Sequence, residues 1–298
     1  MKKLLFGLIL AATGAMGANA QILWKVSGNG AKADSYLFGT HHLAPLSMLD
    51  SVKGFAPALE SVDAVAGEVD MKNMQANAQS LMGYMLAPAD SALTAVLAPA
   101  QLDSLTQILA KYMGPQMTAA QLAPLKPAAV ATQLALFESM ATMDPAQAQA
   151  MAAGQQLDTE VQNRALAANK PIIAFETAEQ QMGILMGAPI AEQARQLMEA
   201  VKQSLEGKAA ESAKKLTDAY ISQNLDAIAE LMLEGDDMSE AELQRLIYDR
   251  NMGWAAKLIR EILPESSVLV AVGAGHLPGK QGLIELLRAA GYTVEPVK

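Results

Sequence analysis

The strongest constraint in this chain is a set of short segments that are apolar on both faces. Read as strands, residues 171–175 and 268–272 are apolar at successive positions, and 61–69 is apolar apart from Asp63 and Glu68. Successive side chains on a strand point to opposite faces. Strands of this kind belong in a sheet covered on both sides by helices. Residues 22–26 and 35–38 read as two more strands joined through Gly28, Asn29 and Gly30, a hairpin. Residues 292–297 read as the last strand.

Between these strands the chain is rich in Ala, Gln, Leu and Met. Ile190, Ala194, Leu197, Met198, Val201 and Leu205 recur at helical spacing, and so do Leu216, Tyr220, Ile221, Leu225, Ile228 and Met232. Ser239 and Glu242 form a capping-box pattern that opens a long helix through Leu246, Trp254, Leu258 and Ile262, stopping before Pro264. Residues 72–165 read as several shorter helices, and 281–288 as another ended by Gly291. The expected fold is therefore α/β. A central mixed sheet is covered by helices, with a large helical insertion, about 72–165 and 190–263, between strand-rich N- and C-terminal parts. The 18 methionines fall largely in the helices. They either fill irregular gaps in helical cores or line an adaptable apolar groove.

The chain has three histidines, His41, His42 and His276, and no cysteine. Disulfides, thiolate ligands and cysteine nucleophiles are excluded. All histidine chemistry lies in two Gly-x-x-His turns, Gly39-Thr40-His41-His42 and Gly273-Ala274-Gly275-His276, each just past a strand. A glycine there is expected to let the chain turn as it leaves the sheet. The histidines then project above the strand ends, where open α/β sheets bind ligands. His42 and His276 are expected to meet there. His41, its neighbour on extended backbone, is expected to face elsewhere.

Carboxylates follow two other strands. Glu68 sits in an otherwise apolar strand, where a carboxylate needs a partner or a metal. Two His and one Glu make a three-ligand hydrolytic site that leaves one coordination position for water. Glu176 reads as a cap of the helix beginning at Thr177, or as support for the site. Arg250, on the long helix beside Asn251, is suited to an oxyanion or a substrate carboxylate. No Walker, Gly-x-Ser-x-Gly or His-Glu-x-x-His pattern occurs.

At the N-terminus, Lys2 and Lys3 precede an apolar run and an Ala18-Asn19-Ala20 cleavage pattern. Residues 1–20 read as a secretory signal peptide, with a mature domain over 21–298 in the periplasm or outside the cell. Loss of the two lysines takes the net charge from −9 to −11. An acidic chain argues against nucleic acid as a partner. No later segment is a continuous apolar span.

Tyr36-Leu37-Phe38-Gly39-Thr40-His41-His42-Leu43 resembles the opening motif of the TraB/PrgY/GumN family, which includes the Tiki metalloproteases. Residues 272–279 through 291–294 resemble its closing motif. Leu157-Asp158, Lys170-Pro171 and Glu176-Thr177-Ala178-Glu179-Gln180-Gln181 look like its middle motif, and Asp249-Arg250-Asn251 with Trp254 like its Arg-Asn helix. The resemblance covers nearly all of residues 21–298 and is close to the secreted GumN-like branch. It implies a fold akin to the ChaN and erythromycin-esterase group. It also implies a hydrolase, a peptidase above all, holding divalent manganese, cobalt or zinc through His42, His276 and Glu68, with Glu68 and Arg250 catalytic. His41, Glu176, Asp158 and Asn251 would support the site or touch substrate. Two alternatives stay open: a binding protein for a peptide, pheromone or haem-like ligand, and a metal-free His/Glu esterase.

Overall fold

The computed structural model describes residues 21–233 and 238–298. The expected signal peptide lies outside these residues. Six strands form one mixed sheet: β1 (Leu23–Ser27), β2 (Ser35–Thr40), β3 (Ala64–Gly67), β4 (Ile172–Ala174), β5 (Val268–Gly273) and β6 (Thr293–Pro296), in the order β4-β3-β5-β2-β1-β6. β4, β3, β5 and β2 run parallel, and β1 is antiparallel to both β2 and β6. The expected α/β class and the hairpin are both present. Gly28, Asn29 and Gly30 all have positive φ in the β1–β2 turn, which is why two of the three are glycine.

Every residue of β3 is buried, as are the first five of β5, whichever face they point to. The sheet is therefore covered on both sides, as the apolar runs required. β3 is shorter than the expected 61–69. The helix Phe55–Ser61 runs into its front end, and Glu68 and Val69 lie beyond its last residue. Backbone pairing continues one step further, with Glu176 N–H donating to Glu68 O at 2.9 Å.

The helices Pro99–Met113, Pro127–Met140 and Ile190–Leu205 build a second apolar core from Leu105, Ile108, Val130, Leu134, Leu197 and Val201, separate from the core on the sheet. The spacing of Ala194, Leu197 and Val201 puts them on one helix face, and all three are buried. Ser239 caps its helix by accepting from Glu242 N–H, as its capping box implied. That helix is not uniform. π-helical turns at Gln244–Tyr248 and Leu258–Ile262 flank the α-helical stretch Asp249–Lys257. Each π turn inserts a residue and rotates the face that follows. Among the described residues no helix is long and apolar enough to cross a membrane.

Candidate functional site

The parallel strands deliver their carboxyl ends to one edge of the sheet. Thr40 is in register with Gly273, and Gly67 with Ala271, so both Gly-x-x-His turns and Glu68 leave from adjacent strands β2, β5 and β3. They open onto a cavity of ≈ 570 Å³ whose lining includes His41, His42, Glu68, Asp158, Arg250 and His276. The glycines act differently from expectation. Neither Gly39 nor Gly273 has a positive φ. A Cβ on Gly39 would stand 3.0 Å from the Cα of Ala274, so this glycine lets the two turns pack together. Gly273 N–H donates to Glu68 Oε1 at 3.0 Å, and a Cβ there would stand 3.4 Å from that oxygen and 3.6 Å from His276 Cδ2.

His276 is buried, and its tautomer follows from its partners. Asn251 Nδ2 donates to the carbonyls of His276 (3.2 Å) and Gln281 (2.8 Å), so Asn251 Oδ1 must be the acceptor facing His276 Nδ1 at 2.7 Å. Nδ1 carries the proton. Nε2 therefore offers its lone pair, and Arg250 Nη1 stands 3.2 Å away as donor. Burial lowers the imidazole pKa to about 4; Glu68 opposes this and Arg250 adds to it.

Arg250 is buried and spends all five of its N–H groups. Nε and Nη2 donate to Glu176 at 2.9 and 3.1 Å, and Nη2 also donates to Glu68 Oε2 at 2.5 Å. Nη1 donates to the Leu246 carbonyl at 3.1 Å as well as to His276. The guanidinium lies over the Trp254 ring, 4.6 Å from its centroid, and Trp254 Nε1 donates to Glu176 Oε1 at 3.0 Å. Burial opposes the Arg250 charge, but Glu176 and Glu68 outweigh it and raise its pKa. Burial would raise the Glu68 carboxyl too. His276, Arg250 and the Gly273 N–H outweigh that and hold it at about 2. Gln181 Nε2 adds a bond to Glu68 Oε2 at 3.0 Å.

His42 takes a different partner. Its Nδ1 lies 2.8 Å from Asp158 Oδ2, and its side chain is 61% exposed. Asp158 sits in the first turn of the helix Leu157–Ala167, buried, with Oδ1 accepting from Thr40 at 2.6 Å. The carboxylate raises the His42 pKa to about 9, with burial opposing and Glu68 helping. His41 also lines the cavity. Its ring packs 5.3 Å from that of Tyr220, and Nε2 is 3.2 Å from Thr217 Oγ1. Burial, then the His42 charge, lowers the His41 pKa to about 4.

Glu68, His276, Arg250, Asn251 and Glu176 thus form one network, and His42 and Asp158 form a separate pair that lines the same cavity. Thr177, rather than Glu176, caps the helix Ala178–Leu185. Sequence reasoning missed three participants: Gln181, Thr40, and Tyr220, which donates to the Gly39 carbonyl at 2.8 Å and ties down the end of β2. Thr40 stood inside the first motif; Tyr220 showed only as an apolar helix position.

The residue types are those a divalent cation takes, but among the described residues their arrangement does not gather them around one point. His276 Nδ1 bonds Asn251 and His42 Nδ1 lies 2.8 Å from Asp158, so Nε2 is the remaining nitrogen of each ring. His276 Nε2 and Glu68 Oε1 are 3.8 Å apart, and two ligands of one ion stand no more than ~4.2 Å apart. Among the described residues, however, no three His, Asp or Glu side chains are gathered closely enough to hold an ion. Arg250 engages His276 Nε2 and Glu68, and Asp158 holds His42.

A model of the TraB/PrgY/gumN family matches residues 22–296, nearly the whole chain. No curated protein and no solved structure matches. The chain belongs to the TraB/PrgY/gumN family.

Proposed function

For this member of the family, we propose a hydrolase that cleaves a carboxylic ester or amide at the strand-end cavity. One observation carries the reading: two histidines from neighbouring parallel strands line one cavity, His276 with Nδ1 bonded to Asn251 and His42 with Nδ1 2.8 Å from Asp158. Catalytic histidines need this kind of orientation. His42, ion-paired with Asp158, is the group that gives a proton to the leaving atom. His276, kept neutral by burial, is the group that accepts one from water once Arg250 Nη1 turns from it. Glu68 orients Arg250 and His276. Because all five Arg250 donors are engaged, Arg250 can stabilise an oxyanion only by exchanging one of these bonds.

In the balanced reaction, water adds to the carbonyl and the bond from carbon to the leaving oxygen or nitrogen breaks. One water proton ends on that leaving atom and the other is released from the new acid. If His42, His276 and Glu68 instead held a divalent ion, it would supply Lewis acidity toward that water, and the two imidazoles, neutral and engaged as ligands, would not carry the protons. We propose export as well, on the strength of the Ala18-Asn19-Ala20 pattern. N-terminal sequencing of the exported form should then begin at Gln21.

The deciding experiment measures metal content and hydrolysis of ester and peptide libraries, in wild type and His42→Ala, with and without chelator. Cleavage lost in His42→Ala supports the hydrolase. Cleavage that also fails on chelation, with metal lost in the variant, assigns the water to a metal; cleavage that survives chelation assigns it to the histidines. Ligand binding without cleavage of any library member overturns the hydrolase in favour of a binding protein.

A further inference from the structure

The histidines and Glu68 form the strand-end side of the cavity, and helices supply the rest. Met71 and Met74 come from the helix Met71–Ala76, Met182 from Ala178–Leu185, Leu216 from Lys208–Ile221, and Ile228 and Met232 from Leu225–Leu233. The strand ends give the space its reactive polar groups, and the helices give it an apolar lining of flexible thioethers that begins beside them, with Met232 Cε against Gly275. Methionine side chains adapt to a chain of varying shape at little cost.

A peptide fits this wall poorly. Each residue would bring an N–H and a C=O that must be satisfied. Of the polar side chains away from the reactive residues, three are engaged within the protein, and Gln156 has no side-chain bond among the described residues. Gln162 bonds the Val69 carbonyl and the Met71 N–H, Gln181 bonds Glu68, and Thr132 bonds the Ala128 carbonyl. No strand edge is offered either, because β2, β3 and β5 are interior strands and the sheet edges are β4 and β6. An acyl chain needs none of these partners.

From this division we infer that the substrate is an ester of an unbranched medium-length fatty acid, its carbonyl between the histidines and its chain along the methionine wall. The inference rests on the hydrolase reading above and names its substrate class. At ~30 Å³ per water-sized group, 570 Å³ holds about nineteen non-hydrogen groups, which leaves room for roughly ten to twelve acyl carbons beside the carbonyl and alcohol. Water adds to the acyl carbonyl and the carbon–oxygen bond to the alcohol breaks. The alcohol takes one proton and the carboxylic acid releases the other.

The test is a series of p-nitrophenyl esters from acetate to palmitate, beside direct binding of 11-(dansylamino)undecanoic acid. With ~0.8 kcal/mol per buried methylene, kcat/KM should rise about two- to fourfold per carbon and level off near ten to twelve. Met182→Trp and Leu216→Trp, checked for folding by circular dichroism, should cut decanoate kcat/KM at least tenfold, weaken the dansyl probe, and move the optimum to shorter chains. A flat profile, or peptides cleaved while esters are not, overturns the inference and leaves the hydrolase standing. Tight dansyl binding that is lost in both tryptophan variants, with neither ester nor peptide cleaved, overturns the ester substrate and the hydrolase together and leaves a binding site for acyl chains.

Discussion

The two Gly-x-x-His turns are the same in spacing and stand one residue out of register on neighbouring strands, and the protein gives their histidines opposite electrostatic settings. His276 is buried, faces an amide oxygen and a guanidinium, and has its pKa pushed down to about 4. His42 is largely exposed, faces a carboxylate, and has its pKa pushed up to about 9. The motif itself carries no information about which histidine is charged. That is settled by residues from distant parts of the chain, Asp158 on one side and Arg250 with Asn251 on the other. Splitting the pKa values of two like groups is how a site obtains an acid and a base from one residue type.

Arg250 is the residue whose loss should disturb this contrast most. Its guanidinium is the partner of both Glu68 and Glu176. Arg250→Met leaves two carboxylates buried without their cation, and breaking such a network costs about 3–5 kcal/mol. Urea denaturation should show that loss. Arg250→Lys should recover little of it, because an ammonium cannot reproduce five bonds in a planar fork. If Arg250→Met unfolds at the wild-type midpoint, the His276 side of the comparison is wrong.

The next largest effect is a loss of stability on the acid side. An unfolded His has a pKa of about 6.5, and His276 in the folded protein stays neutral down to about 4. The unfolded chain therefore takes up a proton first, and stability falls as pH drops from 6.5 towards 4. The shift corresponds to on the order of 3 kcal/mol. His276→Gln should flatten this window relative to wild type. Equal acid profiles for the two proteins would show that burial of His276 does not govern it.

Much of this architecture could be read from the sequence, for identifiable reasons. The apolar run at 268–272 required a strand covered on both faces, and β5 is one; the run at 171–175 formed only the half-buried edge strand β4. Ser239 and Glu242 marked a helix start by a local hydrogen-bond pattern. The three histidines, occurring in two matching motifs, led to the strand ends. Partner choice was not legible in the same way. The sequence placed His42 with His276 and Glu68, yet its Nδ1 faces Asp158, a pairing set by how the helix Leu157–Ala167 packs against β3, β4 and β5. The π turns on either side of Asp249–Lys257 left no signal either, because they conserve composition and alter only the rotation of the helix. The role of Gly39 emerged only once β2 and β5 lay side by side and Ala274 filled the space above it.

That close approach gives a smaller prediction. Gly39→Ala places a Cβ 3.0 Å from backbone and side-chain atoms of Ala274 and 3.2 Å from Leu277 Cδ1. Backbone cannot move aside cheaply, so overpacking should cost about 1–3 kcal/mol. Both turns should be displaced, and the ring resonances of His42 and His276 should shift together in NMR spectra. A shift confined to His42 would show that the turns are mechanically independent.

The smallest expected effect isolates the other histidine. The folded pKa of His42, about 9, lies above its unfolded value of about 6.5. The pair with Asp158 therefore adds stability that is complete below pH 6.5 and is lost as pH rises through 9. With the imidazole 61% exposed, solvent screening limits this to no more than about 1 kcal/mol. Asp158→Asn keeps an acceptor for the Thr40 hydroxyl and removes only the charge. In the metal-free protein its His42 midpoint should fall from about 9 towards 6.5, while His276 stays low, because His276 is governed by burial, Glu68 and Arg250. Wild type and variant should differ in stability below pH 6.5 and converge above pH 9. An unchanged His42 midpoint in Asp158→Asn would remove the carboxylate as the cause, and with it the assignment of His42 as the proton donor.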